Sequence, residues 1–103
     1  MLLAVDVGNT QTVFGLFEGD RLSEQFRVAT EPRHTADELA VLLRAFVELE
    51  SLDGIVLSSP VPVLVREYEG FAERWAGADL LVLGPGVIDR RPDPLRRPAR
   101  GGA

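Results

Sequence analysis

Leu2-Leu3-Ala4-Val5-Asp6-Val7-Gly8-Asn9-Thr10 is the stretch on which the reading of the whole chain depends. Its first four residues are apolar and suit a buried strand, Asp6 ends that run, and Gly8 and Asn9 favour a turn before residues 10–17 resume a strand pattern. The result is a hairpin with a carboxylate at its tip. Gly8 lets a phosphate approach the backbone, the amides and hydroxyls of Asn9, Thr10 and Thr12 can donate to its oxygens, and Asp6 can hold a magnesium ion directly or through water. An ordinary hairpin accounts for the same residues, because Asn and Gly are favoured hairpin formers. Local sequence alone leaves both readings open.

Working outward, residues 18–21 read as a turn and residues 22–30 alternate well enough for a third strand, so three strands run as an antiparallel meander. Thr35-Ala36-Asp37-Glu38 is a capping box that opens a helix. Leu39, Leu42, Leu43, Phe46 and Val47 carry that helix's apolar stripe as far as residue 49. A short apolar run over residues 53–59 has the pattern of a strand buried on both faces and ends in Ser58 and Ser59. Pro60 and Pro62 stop it, and Pro62 suits the first turn of a second helix over residues 62–75, with Leu64, Val65, Tyr68, Phe71, Ala72 and Trp75 on its inner side. Residues 79–83 form another apolar run closed by Gly84-Pro85-Gly86. The order βββαβαβ implies an α/β protein with a mixed five-stranded sheet and two helices covering its faces, the ribonuclease-H-like layout. Ligands in such sheets collect beyond the carboxyl ends of the strands, where Asp6 and the segment Ser58 to Pro60 both fall.

Composition bounds the answer. A chain of 103 residues with 46% apolar content suits one small globular domain. It has no cysteine and a single His34, so thiolate and histidine-cluster metal sites are excluded and any metal is oxygen-bound. Net charge is −5, and because the last sixteen residues carry five Arg against two Asp, the remaining body stands at −8. An acidic body does not suit nucleic acid. No eighteen-residue apolar window and no basic leader are present, so the expected location is the cytoplasm, with no membrane partner. His34 reads as a loop residue, Asp37 and Glu38 as complements to the helix N-terminus, and Glu67, Glu69 and Glu73 as a solvated helix face. Arg27 suits either a ligand-facing cation or an exposed strand-edge cation. A nuclease of this fold needs several converging carboxylates, and Asp6 is the strand-end carboxylate the pattern supplies.

Met1 through Gly15 closely resembles the start of type III pantothenate kinases, of the actin, hexokinase and Hsp70 phosphotransferase superfamily. Arg27-Val28-Ala29-Thr30, Thr35-Ala36-Asp37-Glu38, Leu57-Ser58-Ser59 with Pro62, and Val82-Leu83-Gly84-Pro85-Gly86 follow in that family's order, so the resemblance covers residues 1 to about 87. It implies ATP-dependent phosphorylation of pantothenate to 4'-phosphopantothenate in coenzyme A synthesis, with Mg2+ and a monovalent cation, K+ or NH4+. By position, Asp6, Val7, Gly8, Asn9, Thr10, Gln11, Thr12 and Val13 match the family's ATP-phosphate segment, with Asp6 placing magnesium, and Ser58 and Ser59 match a second wall. Pro60 departs from the valine usual there. The resemblance also implies the first half of an actin-like ATPase fold and a homodimer in full-length members.

The resemblance puts the family's catalytic aspartate in a Gly-Ala-Asp motif just beyond the matched region, beside a pantothenate-binding loop, and neither these nor the second domain that completes the ATP cleft is matched in this sequence. No catalytic residue is therefore assigned, and little turnover is expected of this chain alone. Residues 1–87 are read as the phosphate-binding domain and residues 88–103, with five Arg and three Pro, as an irregular, disordered basic tail. With suitable synonymous codons, that tail read one base later encodes Ser-Thr-Gly-Val-Pro-Ile-Arg-Tyr-Asp-Asp-Pro-Arg-Glu-Val-Gly, close to the family's next segment. A one-base insertion or deletion near the codons for Val87 and Ile88 is the expectation. Helix faces left without the second domain are expected to be exposed and to make the chain poorly soluble.

Overall fold

The computed structural model describes residues 1–84 together with the backbone of residues 87–90. Strands β1 (Leu2–Val7), β2 (Gln11–Glu18) and β3 (Arg21–Ala29) form the expected antiparallel meander. Helix α1 (Ala36–Arg44), strand β4 (Gly54–Ser58), helix α2 (Pro62–Phe71) and strand β5 (Asp79–Gly84) follow. β4 pairs parallel to β1, and β5 pairs parallel to β4. A short sixth strand, β6 (Val87–Arg90), adds antiparallel to β5, giving the order β3-β2-β1-β4-β5-β6. The five expected strands are therefore extended by one, formed at the start of the basic tail. The rest of that tail, expected to be disordered, lies outside the described residues.

Both helices lie on one face of the sheet, not one on each. Leu3, Val5 and Val7 of β1, Phe14 and Leu16 of β2, Ile55 and Leu57 of β4, and Leu80 and Val82 of β5 form a single core with residues of α1 and α2. The reason is topological. Pairing makes β3, β4 and β5 run parallel, and the two helical crossovers step across the sheet in the same direction, so crossovers of one handedness put both helices on the same side. α1 and α2 then touch directly: the Ala36 amide donates to Glu67 Oε1 at 2.9 Å, and a Cβ on Gly70 would meet the Ala36 Cβ at 3.3 Å. Glu67 is thus a clamp between helices and not merely part of a solvated face. Apolar surface is left uncovered on the opposite side of the sheet, at Leu2 and Leu22, and on the helices, at Val41 and Val63.

The capping box forms as the sequence requires, with Glu38 N donating to Thr35 Oγ1 and Thr35 N to Glu38 Oε1. α1 stops at Arg44, short of residue 49, because Phe46 leaves the helical stripe to cover β3. Its ring stacks on Phe26 at 4.1 Å, and Phe26 stacks on Phe14 at 5.1 Å. Phe46 remains 44% exposed. Beyond α2 the chain takes a wider π-helical turn, Ala72–Ala76, closed by Gly77 in the left-handed region at φ 62°. That wider turn rotates Trp75 off the inner side where helical spacing had put it, leaving it 40% exposed. Its indole donates to Asp37 Oδ1 at 3.0 Å, beside Arg74 at 3.1 Å, and the Arg44 guanidinium lies 5.5 Å from its ring centre. Asp37 therefore holds the end of the second helix as well as sitting in the first turn of α1. Among the described residues no helix is long and apolar enough to cross a membrane.

Candidate phosphate-binding site

The turn at the head of the sheet is built by close approach. Gly8 N donates to Gln11 O at 2.8 Å, leaving Asn9 and Thr10 as a two-residue loop. A Cβ on Gly8 would lie 2.8 Å from that same backbone oxygen, so any side chain there would force the hairpin apart. Asn9 and Thr10 are exposed. Among the described residues the Asn9 amide has no internal acceptor.

Asp6 belongs to β1 itself, one pleat before the turn. It pairs in register with Val13 of β2 on one side and Ser58 of β4 on the other, and all three face the side without helices. The two segments singled out as facing walls of one site are thus neighbours on adjacent strands. They line a trough of about 450 Å³ over the open face, with Ala4, Gly15, Val56 and Leu83 as its floor. Ser59 goes elsewhere. It lines a separate cleft of about 520 Å³ at the ends of β4 and β5 with Arg66, Glu69 and Gly84. Its hydroxyl accepts from Val61 N at 3.0 Å and donates to Val61 O at 3.3 Å, an internal turn ahead of α2.

The other residues of the segment divide by parity. Val7 is buried in the core, so its side chain offers a ligand nothing. Gln11 is exposed, and its Oε1 accepts from Arg27 at 3.3 Å across the hairpin, which makes Arg27 an exposed cation on the Asp6 side of the sheet. Thr12 points the other way and is only 4% exposed. Its hydroxyl meets Thr30 Oγ1 at 2.8 Å, and Thr30 Oγ1 donates to Gly8 O at 2.9 Å. Thr12 is therefore a strut beneath the turn, not a donor on its outer surface. In the sequence, Thr30 stands out only as part of the Arg27-Val28-Ala29-Thr30 segment. Hairpin register was the signal that could have found it, since Gln11 opposite Ala29 carries Thr10 opposite Thr30.

The donor set suits magnesium of the phosphate-bound kind. Mg2+ usually takes one or two protein carboxylates and completes its shell with phosphate oxygens and water. Asp6 is exposed and, among the described residues, has no side-chain partner to displace. Among the same residues no three acidic or histidine side chains converge, so the many-carboxylate geometry of a nuclease is not assembled by them.

Comparison with known proteins agrees with this architecture. Two solved structures of Thermus thermophilus RuvC, one in complex with a Holliday junction substrate, superpose with TM-scores of 0.57 and 0.52 over 82% of this chain. At 18% and 20% identity they establish the ribonuclease-H-like fold alone. The type III pantothenate kinase of Acidothermus cellulolyticus is 44% identical over 92 residues, 84% of this chain and 36% of that protein. Those of Myxococcus xanthus and Moorella thermoacetica are 41% and 40% identical over 108 residues, all of this chain and 42% of each protein. The chain thus spans about two fifths of the length of the curated relatives it matches. The match to the family's sequence model runs over residues 2–102, past residue 87 where the resemblance by motif stopped, and the chain belongs to the type III pantothenate kinase family.

Proposed function

We propose that residues 1–87 form the phosphate-binding wall of a cytoplasmic, ATP-dependent pantothenate kinase. Asp6 would hold the magnesium of MgATP, while the backbone at Gly8, Asn9 and Thr10 would receive its phosphates and Ser58 would close the trough beside them. The observation that carries this reading is the register of Asp6 with Ser58 next to a turn whose Asn9 amide has no acceptor among the described residues. Magnesium held by Asp6 would supply charge neutralisation to the phosphates. The chain's own part is to position: the turn fixes the nucleotide's phosphates and the carboxylate fixes their counterion.

Phosphoryl transfer depends on holding both substrates in line and stabilising the charge that develops between them. A pantothenate pocket, a catalytic aspartate, a monovalent-cation site for K+ or NH4+, and a homodimer interface are assigned to the length of the relatives that this chain does not span. The expected behaviour is nucleotide binding with little or no turnover. Titrating the chain with MgATP while following the Asn9 and Thr10 amide signals tests the first part, and no shift at millimolar nucleotide would remove the phosphate reading. A pantothenate phosphorylation assay on this chain beside a version extended to the relatives' full length tests the second. Equal turnover in both would show that one wall suffices. The open trough beside Asp6 and Ser58 also suits a second reading, a nucleotide-binding or protein-interaction module without catalysis. Binding without turnover in both versions would select it.

A further inference from the structure

We infer that Thr30, at the far end of the meander from Asp6 in sequence, is a positioning residue that aims the Asn9 amide at bound phosphate. The inference rests on the phosphate reading above and adds a residue and a direction to it. A threonine hydroxyl has one proton, and a backbone carbonyl can only accept. Because Thr30 Oγ1 donates to Gly8 O at 2.9 Å, its proton is spent, so the 2.8 Å contact with Thr12 has Thr12 as donor. The chain of hydroxyls therefore runs one way, from Thr12 to Thr30 to the Gly8 carbonyl.

That direction sets the turn. The peptide between Gly8 and Asn9 is trans, so its carbonyl and its N–H point to opposite sides. Anchoring the Gly8 carbonyl on Thr30 points the Asn9 N–H away from Thr30 and the buried Thr12 beneath it, out from the exposed loop. Two further backbone bonds hold the frame in which this happens: Gly8 N to Gln11 O at 2.8 Å and Thr30 N to Thr10 O at 2.9 Å. The frame survives loss of the Thr30 hydroxyl because both bonds are main-chain. What is lost is the orientation of one peptide. Thr12 contributes through Thr30 and holds no part of the Gly8 carbonyl itself.

The test uses the 103-residue chain and its Thr30→Val, Thr30→Ser and Thr12→Val variants, titrated with MgATP and followed by amide signals. Thr30→Val is expected to weaken nucleotide binding roughly tenfold, as for loss of one well-placed donor to a charged group. Thr30→Ser keeps the hydroxyl and is expected to bind within about twofold of the parent, and Thr12→Val is expected to fall between them. Thermal unfolding of each variant separates general destabilisation from the specific effect. Rescue by serine with no rescue by valine supports positioning. Equal affinity of Thr30→Val and the parent, or equal weakening by serine and valine, overturns it. If the parent itself binds no MgATP, the phosphate reading fails, and the positioning is judged on the free chain. A slowly exchanging Thr30 hydroxyl proton coupled to the Gly8 carbonyl, with an Asn9 amide shift that changes in Thr30→Val, supports it. Absence of that proton signal overturns it.

Discussion

Leu3, Val5, Phe14, Ile55 and Leu57 on one side of the sheet, and Ala4, Asp6, Val13, Gly15 and Ser58 on the other, come from the same three strands and differ by one residue of pleat. The first set lies under two helices and is closed to solvent. The second set carries the candidate ligand groups and stands open. The difference separates two jobs that a small domain otherwise mixes: odd positions of β1 hold the fold together, while Ala4 and Asp6 line the open trough. It also makes register a functional quantity, because a one-residue slip would exchange the two sets.

The comparison breaks hardest at Phe14. Phe14→Ala removes a fully buried ring that also stacks on Phe26, and is expected to cost about 3–5 kcal/mol by denaturant titration. Its counterpart on the other face, Val13→Ala, is expected to cost less than about 1.5 kcal/mol. Similar losses at both positions would mean that the open face is covered in solution. Gly8→Ala comes next. Its Cβ would meet Gln11 O at 2.8 Å, so the hairpin must shift, with an expected cost of about 1–3 kcal/mol and changed Asn9 and Thr10 amide signals. Asp6→Asn sharpens the contrast from the functional side. It is expected to leave stability within about 0.5 kcal/mol while removing the magnesium dependence of nucleotide binding, measured by titration with and without the metal.

The smallest expected effect is confined to alkaline pH. Burial of Tyr68 raises its hydroxyl pKa above the ordinary value of 10.0 by desolvating the phenolate. A raised folded-state pKa leaves stability intact below the unfolded value and removes it as pH climbs toward the folded one. Melting temperature should therefore fall above about pH 10, and Tyr68→Phe should flatten that limb without changing the neutral plateau. An unchanged alkaline limb would place the loss in other groups.

Much of this was legible in the sequence because it depends on local rules. Strand alternation, the Thr35–Glu38 capping box and Pro62 at a helix start each follow from neighbours within four residues. The parallel ordering followed from strand and helix order alone. What escaped depended on contacts between distant segments. Phe46 left a helical stripe to stack on Phe26, Trp75 was turned outward by a π-helical turn, and Thr12 faced inward to meet Thr30 eighteen residues away. The open face escaped for a different reason. Helical periodicity says that a helix covers something, whereas which side it covers is decided by the direction of two crossovers taken together.

The bond from the Ala36 amide to Glu67 has a dynamic consequence. Amides in the first turn of a helix have no acceptor within their own helix and usually exchange freely with solvent. The Ala36 proton is held instead by the neighbouring helix, thirty-one residues later in the chain. Its hydrogen-exchange rate therefore reports separation of the two crossovers, not fraying of one of them, and gives a single-residue gauge of how often the layer above the core comes apart.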